Sequence, residues 1–392
     1  MTESSLLIEK KQQVRENLDT YRSLPEYILD GVGAIVQRVI NPAAAKKRPS
    51  FLPSDPFNQQ EADFPSYWWN GVVIALVTLL IGWLIALLQG HIFTIDETYL
   101  TLWLAGTGAL ALIANKANIR AFLKTFHDSL LDNMLSTVDV EHLRNWMDVN
   151  FGIWKPLISG LVAGPGLAWL LYSSWLLNHK PLVFQPGVFA VVLLASIQSV
   201  WVGYYLFPFY VAFPSQLNRY QFDLYTADPS SSEVVGRLSR LLTFILYVTL
   251  GFIVQLTVGL TVLGVLTSRT PLAGFVFSVF VWAPTVILYG AGQYHLSDLI
   301  SRAKWRMLND VQAKIEALYG EDEIPDKDNL DRLTKLMDYH DRIKSTADSA
   351  LNFRSSLNFL NSLLFPVLAF VFTNLDKVTA LIGNLLGVKK VP

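Results

Sequence analysis

Long apolar runs alternate with polar stretches along this chain. Six runs, at 67–88, 99–114, 157–177, 182–205, 241–266 and 271–291, contain no Asp, Glu, Lys or Arg. A helix needs about 20 apolar residues to cross a bilayer, and most of these runs meet that length. The pattern predicts an all-α, polytopic membrane protein with six transmembrane helices. It adds N-terminal amphipathic cytoplasmic helices and a C-terminal cytoplasmic helical hairpin. Residues 1–66 form the N-terminal helices and linker, and 67–291 form the transmembrane domain, with cytoplasmic connections at 116–155 and 212–240. Residues 292–392 form the hairpin and a last apolar helix. No internal repeat is visible.

Outside the crossings, helical periodicity marks several faces. Pro25 separates two N-terminal helical segments. In the second, 26–40, Ile28, Val32, Ile35, Val36 and Val39 recur at helical spacing on one side. The segment is too short to span. It must bury that face against the membrane surface, against the body of its own chain or against a partner. A Pro-rich linker follows, and Lys46, Lys47 and Arg48 in it are ordinary orientation charges. The 121–149 stretch is expected to be helical, with Leu130, Leu131, Met134, Val138 and Leu143 as its apolar face. Ser230 and Glu233 have the spacing of a capping box at the start of the helix that leads into the fifth crossing. After the sixth crossing, Leu296, Ile300, Ala303, Met307, Val311 and Leu318 oppose Leu330, Leu333, Met337, His340 and Ile343 as an antiparallel helical hairpin. The apolar core at 360–372 is half a membrane thick and contains Pro366, so it reads as a buried or interfacial helix.

Charge orients this layout. The loop after the first crossing has no Lys or Arg, whereas the segment after the second carries Lys116, Arg120, Lys124 and Arg144. The remaining connections continue the alternation, which ends with Arg302, Lys304, Arg306 and Lys314 after the sixth crossing. The bias puts both termini in the cytoplasm of a plasma or inner membrane. Trp68 and Trp69 at one edge, and Trp175 at another, suit the headgroup layer. The N-terminus lacks the pattern of a signal peptide, so insertion is expected to rely on the crossings themselves.

Composition narrows the function classes. The chain is 52% hydrophobic and 16% charged, with a net charge of -1. There is no basic field for nucleic acid. No cysteine is present, which removes disulfides, thiolate metal sites and Cys nucleophiles. Walker A, HExxH and GxSxG motifs are absent, so neither an enzyme nor a cofactor or metal is expected. The acidic loop at 321–328 lacks the glycine and terminal Glu of a calcium loop and reads as a solvated turn.

Two groups of residues carry the functional expectation. Gly164, Pro165 and Gly166 in the third crossing, and Pro284 in the sixth, are hinge candidates, because proline breaks the helical ladder. Gly160 and Gly164 also form a small-xxx-small face for close packing. Gln255, Gly251, Gly259 and Thr257 of the fifth crossing, with Gln198 of the fourth, are pore-lining candidates. Polar groups at that depth need water or a partner. The missing intramembrane charge disfavours proton relays, voltage sensing and ion-coupled transport.

The expectation is an oligomeric ion channel in the lipid bilayer, a homo-oligomer gated by a cytoplasmic ligand or protein partner. Ile28, Val32, Ile35, Val36 and Val39 would be its gate or plug. One setting that fits this layout is a membrane effector of bacterial antiviral defence, by analogy of architecture. A permease for a neutral substrate and a membrane scaffold or assembly protein are the alternatives.

Overall fold

Among the described residues the apolar runs fold as helices and the structure is all-α, with one isolated β-bridge between Met134 and Phe222. The computed structural model describes residues 3–18, 20–40, 64–178, 184–217, 219–262, 271–319 and 327–347, and the side chains at 37–40, 64–67, 174, 177–178, 210–211, 252–253, 256–262, 271–288 and some helix ends lie outside the description. The helices are α1 (Glu3–Leu18), α2 (Leu24–Ile40), α3 (Phe64–Leu88), α4 (Ile95–Thr125), α5 (Thr137–Asn150), α6 (Trp154–Asn178), α7 (Pro186–Leu206), α8 (Phe213–Leu217), α9 (Glu233–Val262), α10 (Pro271–Tyr319) and α11 (Lys327–Ser345).

Five helical stretches are long and apolar enough to cross a membrane: Trp68–Leu88, Ile95–Leu130, Trp154–Ser173, Pro186–Leu217 and Glu233–Gly251. They mark a multi-pass membrane protein and correspond to the first five apolar runs. The sixth run occupies the first part of α10, and the side chains of most of it lie outside the described residues. Burial sorts the spans by position. Only 28% of the first and third windows is buried, against 56% of the second. Accordingly α3 exposes Leu76, Leu80, Leu84 and Leu87, and α6 exposes Leu161, Val162 and Trp169. Apolar surface on that scale is suited to lipid. α4 is the interior helix.

α7 is the hub, in contact with α2, α3, α4 and α6. Its close approaches are made at glycine. A Cβ on Gly187 would lie 2.6 Å from the Gly82 carbonyl oxygen and 3.0 Å from the Ala86 nitrogen, so α3 and α7 meet backbone to backbone. Gly160 of α6 holds the Trp201 indole, and Gly164 faces the Ile197 backbone. The expected small-xxx-small face is therefore the α6–α7 contact. Lipid tails are as apolar as leucine, so such packing, not water exclusion, holds the membrane helices together.

At one end of the bundle, α4 and α7 run into π-helical turns, Phe126–Leu130 and Phe207–Ala212. Phe122, Phe126, Trp146, Phe209 and Phe213 interlock there, with ring centroids 4.7 to 5.9 Å apart. This aromatic core joins α5, α8 and the middle of α10 to the span ends. The 219–224 strap is fixed beside it: Leu135 N donates to Gln221 O, Asp223 N donates to Asn133 O, and Gln221 N donates to the Asp139 carboxylate. Ser230 departs from its expected capping role. It lies in a 3-10 turn and donates to Asp228 Oδ1 at 2.6 Å, because Asp228 caps that turn first.

α10 and α11 form the expected antiparallel pair, around Leu308, Val311, Ile315, Leu333 and Ile343. Leu330 and Met337 are exposed, so the buried face is rotated from the predicted one. Leu296 and Ile300 pack into the aromatic core instead.

The backbone contact at Gly187 gives a stability test. Gly187→Ala should destabilise the detergent-solubilised protein by about 1–3 kcal/mol through overpacking. Gly203→Ala, where nothing lies within 4 Å, should leave the melting temperature unchanged or raise it.

Candidate functional site: an N-terminal latch beside a polar seam

The amphipathic α2 is wedged among α3, α4 and α7. Its start is a capping box. Ser23 N donates to Glu26 Oε2 at 3.0 Å, and Glu26 N donates to Ser23 Oγ at 3.3 Å. The Leu24 N–H donates to the Tyr205 hydroxyl of α7 at 2.9 Å. On α3, the Asn70 amide donates to the Leu29 carbonyl at 3.0 Å. Leu29 is fully buried among Ile74, Ala111, Leu112 and Val202, with Ile28 and Val32 packed beside it. Of the other predicted gate residues, Val36 is half-buried, Ile35 is 62% exposed, and the Val39 side chain lies outside the described residues.

A ladder of charge locks this wedge. Glu26 and Asp30 lie one turn apart on α2, as do Lys116 and Arg120 on α4. The Glu26 carboxylate, 0% exposed, accepts from Arg120 Nε at 2.6 Å. Asp30 accepts from Lys116 Nζ at 2.7 Å, with the Lys116 side chain only 4% exposed. Arg22 closes on the other Asp30 oxygen at 3.3 Å. Buried charges on both helices are thereby paired, which their removal from water requires.

α1 continues the attachment onto α5. Lys10 pairs with Glu141 at 2.6 Å, and Arg15 pairs with Asp132 at 2.5 Å. The Tyr21 hydroxyl donates to Asp148, and its ring stacks on Phe151. Burial, then the Asp148 hydrogen bond, pushes the Tyr21 hydroxyl well above its usual range. Burial likewise lowers Lys11, with Asp132 opposing, and the Lys10 hydrogen bond holds Glu141 below the usual carboxylate range.

Further along α4 lies a seam of uncharged polar groups. Gln255 Nε2 of α9 donates to Thr107 Oγ1 at 3.5 Å. Gln198 Oε1 of α7 fills the notch at Gly108, where a Cβ would lie 2.4 Å from it. Gln198, Ser196 and Asn115 are buried, and Gln198 Oε1, Ser196 Oγ and Asn115 Oδ1 have no hydrogen-bond partner among the described residues. Gln255 and Gln198, predicted separately, therefore meet the same short stretch of α4. Gly251 is exposed. Thr257 and Gly259 lie on α9, and their surroundings are outside the described residues. Of the hinge candidates, Gly164 is buried on α7, while Pro165 and Gly166 are exposed. α6 runs on through Pro165 as helix. Pro284 lies within α10, with its side chain outside the described ones. Among the described residues no group of three or more His, Asp or Glu is placed to hold a metal.

Two substitutions test the latch. Glu26→Gln keeps the capping geometry but leaves Arg120 facing a neutral group, and breaking a buried pair costs roughly 3–5 kcal/mol. It should lower the melting temperature and open 1–40 to protease. Adding Arg120→Met should recover part of the loss. A high-pH melt tests α1. Because the folded-state Tyr21 pKa is raised, the stability it contributes is present below about pH 10 and is lost as pH rises beyond it. Tyr21→Phe should flatten that alkaline decline.

Comparison with protein-family models, with curated proteins and with solved structures finds no match for this chain, so its function is argued from the geometry.

Proposed function

We propose that this protein is the protomer of a homo-oligomeric membrane ion channel, held shut by its N-terminal helices and opened by a cytoplasmic ligand or protein partner. The observation that carries the reading is the double use of α4. One stretch of that helix binds the latch through Lys116 and Arg120. The stretch beginning nine residues earlier carries the Thr107–Gly108 seam. At a rise of 1.5 Å per residue, the two are about 14 Å apart along the axis. Asn115, buried with an unsatisfied Oδ1, lies between them. Polar groups at membrane depth need water or a partner, and a water-filled path supplies the first.

In this reading, six crossings and cytoplasmic termini place the charge ladder at the inner edge of the bilayer. Displacing α2 takes Leu29 out from between Ile74, Leu112 and Val202 and leaves the seam open from the cytoplasm. Neutral amides and hydroxyls then replace part of the hydration of a passing ion. Sharing the seam among protomers supplies the full ring of polar groups that one short stretch of three helices does not.

Planar-bilayer current from the purified protein tests this. Removing residues 1–40 should raise the open probability, and Asp30→Asn should do so less strongly. Gln255→Leu and Gln198→Leu should lower unitary current without reducing insertion. Silence from the full-length and truncated proteins, with the oligomer intact, would defeat the channel reading. Saturable uptake of a neutral solute without current steps would favour a permease.

A further inference from the structure

A second polar site lies away from the latch, where the strap after α8 crosses α10. It is a pocket of about 140 Å³. Arg219 and Tyr220 come from the strap with Phe222, and Arg302, Ala303 and Arg306 come from α10. Three arginines therefore line one small concavity. Arg302 is held by Asp298, through Nε to Oδ1 at 3.2 Å and a terminal nitrogen to Oδ2 at 2.7 Å. Arg219 and Arg306 form no ion pair among the described residues. The Asp139 carboxylate, next to Tyr220, is engaged by the Gln221 N–H. Buried Tyr220 and Phe222 give the pocket a firm wall.

We infer that this pocket binds a phosphate-bearing anion, gripped between Arg219 of the strap and Arg306 of α10, with Arg302 as the third cation. The planar fork of arginine matches phosphate oxygens two at a time. The volume sets the size. Liquid water occupies about 30 Å³ per molecule, so the pocket takes roughly five waters or one phosphate to pyrophosphate group, not a whole nucleotide. The site begins where the Pro186–Leu217 span ends, so a soluble phosphate and the headgroup of an anionic lipid share the same chemistry and both reach it. Either one joins the strap to α10, the helix that begins as the sixth apolar run. Binding itself does not depend on the channel reading, though any effect on gating does.

The test uses full-length protein in phosphatidylcholine nanodiscs, titrated calorimetrically with inorganic pyrophosphate. The variants are Arg219→Gln and Arg306→Gln, both at exposed positions, with Arg306→Lys as a charge-preserving partner. Arg237→Gln is the control for net charge, since Arg237 pairs with Glu233 elsewhere. Saturable binding that each Gln variant weakens by roughly tenfold, with Arg306→Lys intermediate and the control unchanged, supports a soluble phosphate ligand. No pyrophosphate heat, but phosphatidylglycerol retained in native mass spectra by wild type and lost from the double Gln variant, supports the lipid headgroup. Absence of both, or weakening by Arg237→Gln equal to that of the pocket variants, overturns the inference. The melting temperature of each variant in the same nanodiscs separates lost binding from lost folding.

Discussion

Charge beside a bilayer must be either wet or paired, and this constraint organises the fold around one end of α4. Between Ile95 and Asn115 that helix carries charge only in its first turn, at Asp96 and Glu97. It then presents Lys116 and Arg120 while still partly enclosed by neighbours. Two buried cations there need two anions, and the chain delivers them from Glu26 and Asp30. α1 and α2 are positioned by that demand. α2 must lie across the α3–α4–α7 junction for its acids to reach, and α1 then runs beside α5, with Lys10 on Glu141 of that helix and Arg15 on Asp132 in the turn before it.

The opposite constraint acts inside the bilayer, where no water drives helices together. Association there depends on how closely backbones approach, and α7 answers with Gly187 against Gly82, and with Ile197 and Trp201 set into Gly164 and Gly160. A well-packed hub lets α4 keep unsatisfied polar atoms at its centre without loosening the bundle. The aromatic core at the π turns ties the same two helices to α5 and α10. In the proposed channel, a displacement of α2 would be met by this packed frame, and the polar seam, not the frame, would be what it alters.

Much of this was readable from local pattern. The run at 67–88 became the span Trp68–Leu88 almost residue for residue, because no charged residue interrupts it. The run at 99–114 was read short at both ends. Thr94 and Glu97 form a capping box that begins α4 early, and the helix continues past Asn115 because Lys116 and Arg120 find partners that hydropathy does not see. The Ile28–Val32 face was legible, but fully buried Leu29 sits beside that stripe, since α2 is enclosed on more than one side. Ser23 and Glu26 have the spacing of a cap, which a closer look at the sequence would have found. Nothing local marks Glu26 as the partner of Arg120, 94 positions away. The same holds for the seam: Gln198 and Gln255 stand out in apolar runs, but their convergence on Thr107 and Gly108 is a property of packing. Arg302 and Arg306 read in the sequence as orientation charges, and only the fold brings them to one pocket with Arg219.

The energetics of α2 attachment divide between two kinds of contact, and in the proposed channel the division would suit a switch. An ion pair taken from water recovers little net free energy, because desolvation offsets most of the attraction. When α2 leaves as a unit, Glu26, Asp30, Lys116 and Arg120 regain water together, so the ladder adds little to the cost of release. It penalises half-released or misregistered states instead, in which one charge stays buried without its partner. The cost of full release falls on apolar burial. Leu29 and Leu24, both buried, contribute about 1.5–3 kcal/mol each, with smaller shares from half-buried Ile28 and Val32. A ligand at a hundred times its dissociation constant supplies about 2.7 kcal/mol. In the proposed channel, release of a latch with so strongly specified a register would therefore call for two or more such binding events. A larger apolar face would have made it a permanent part of the core.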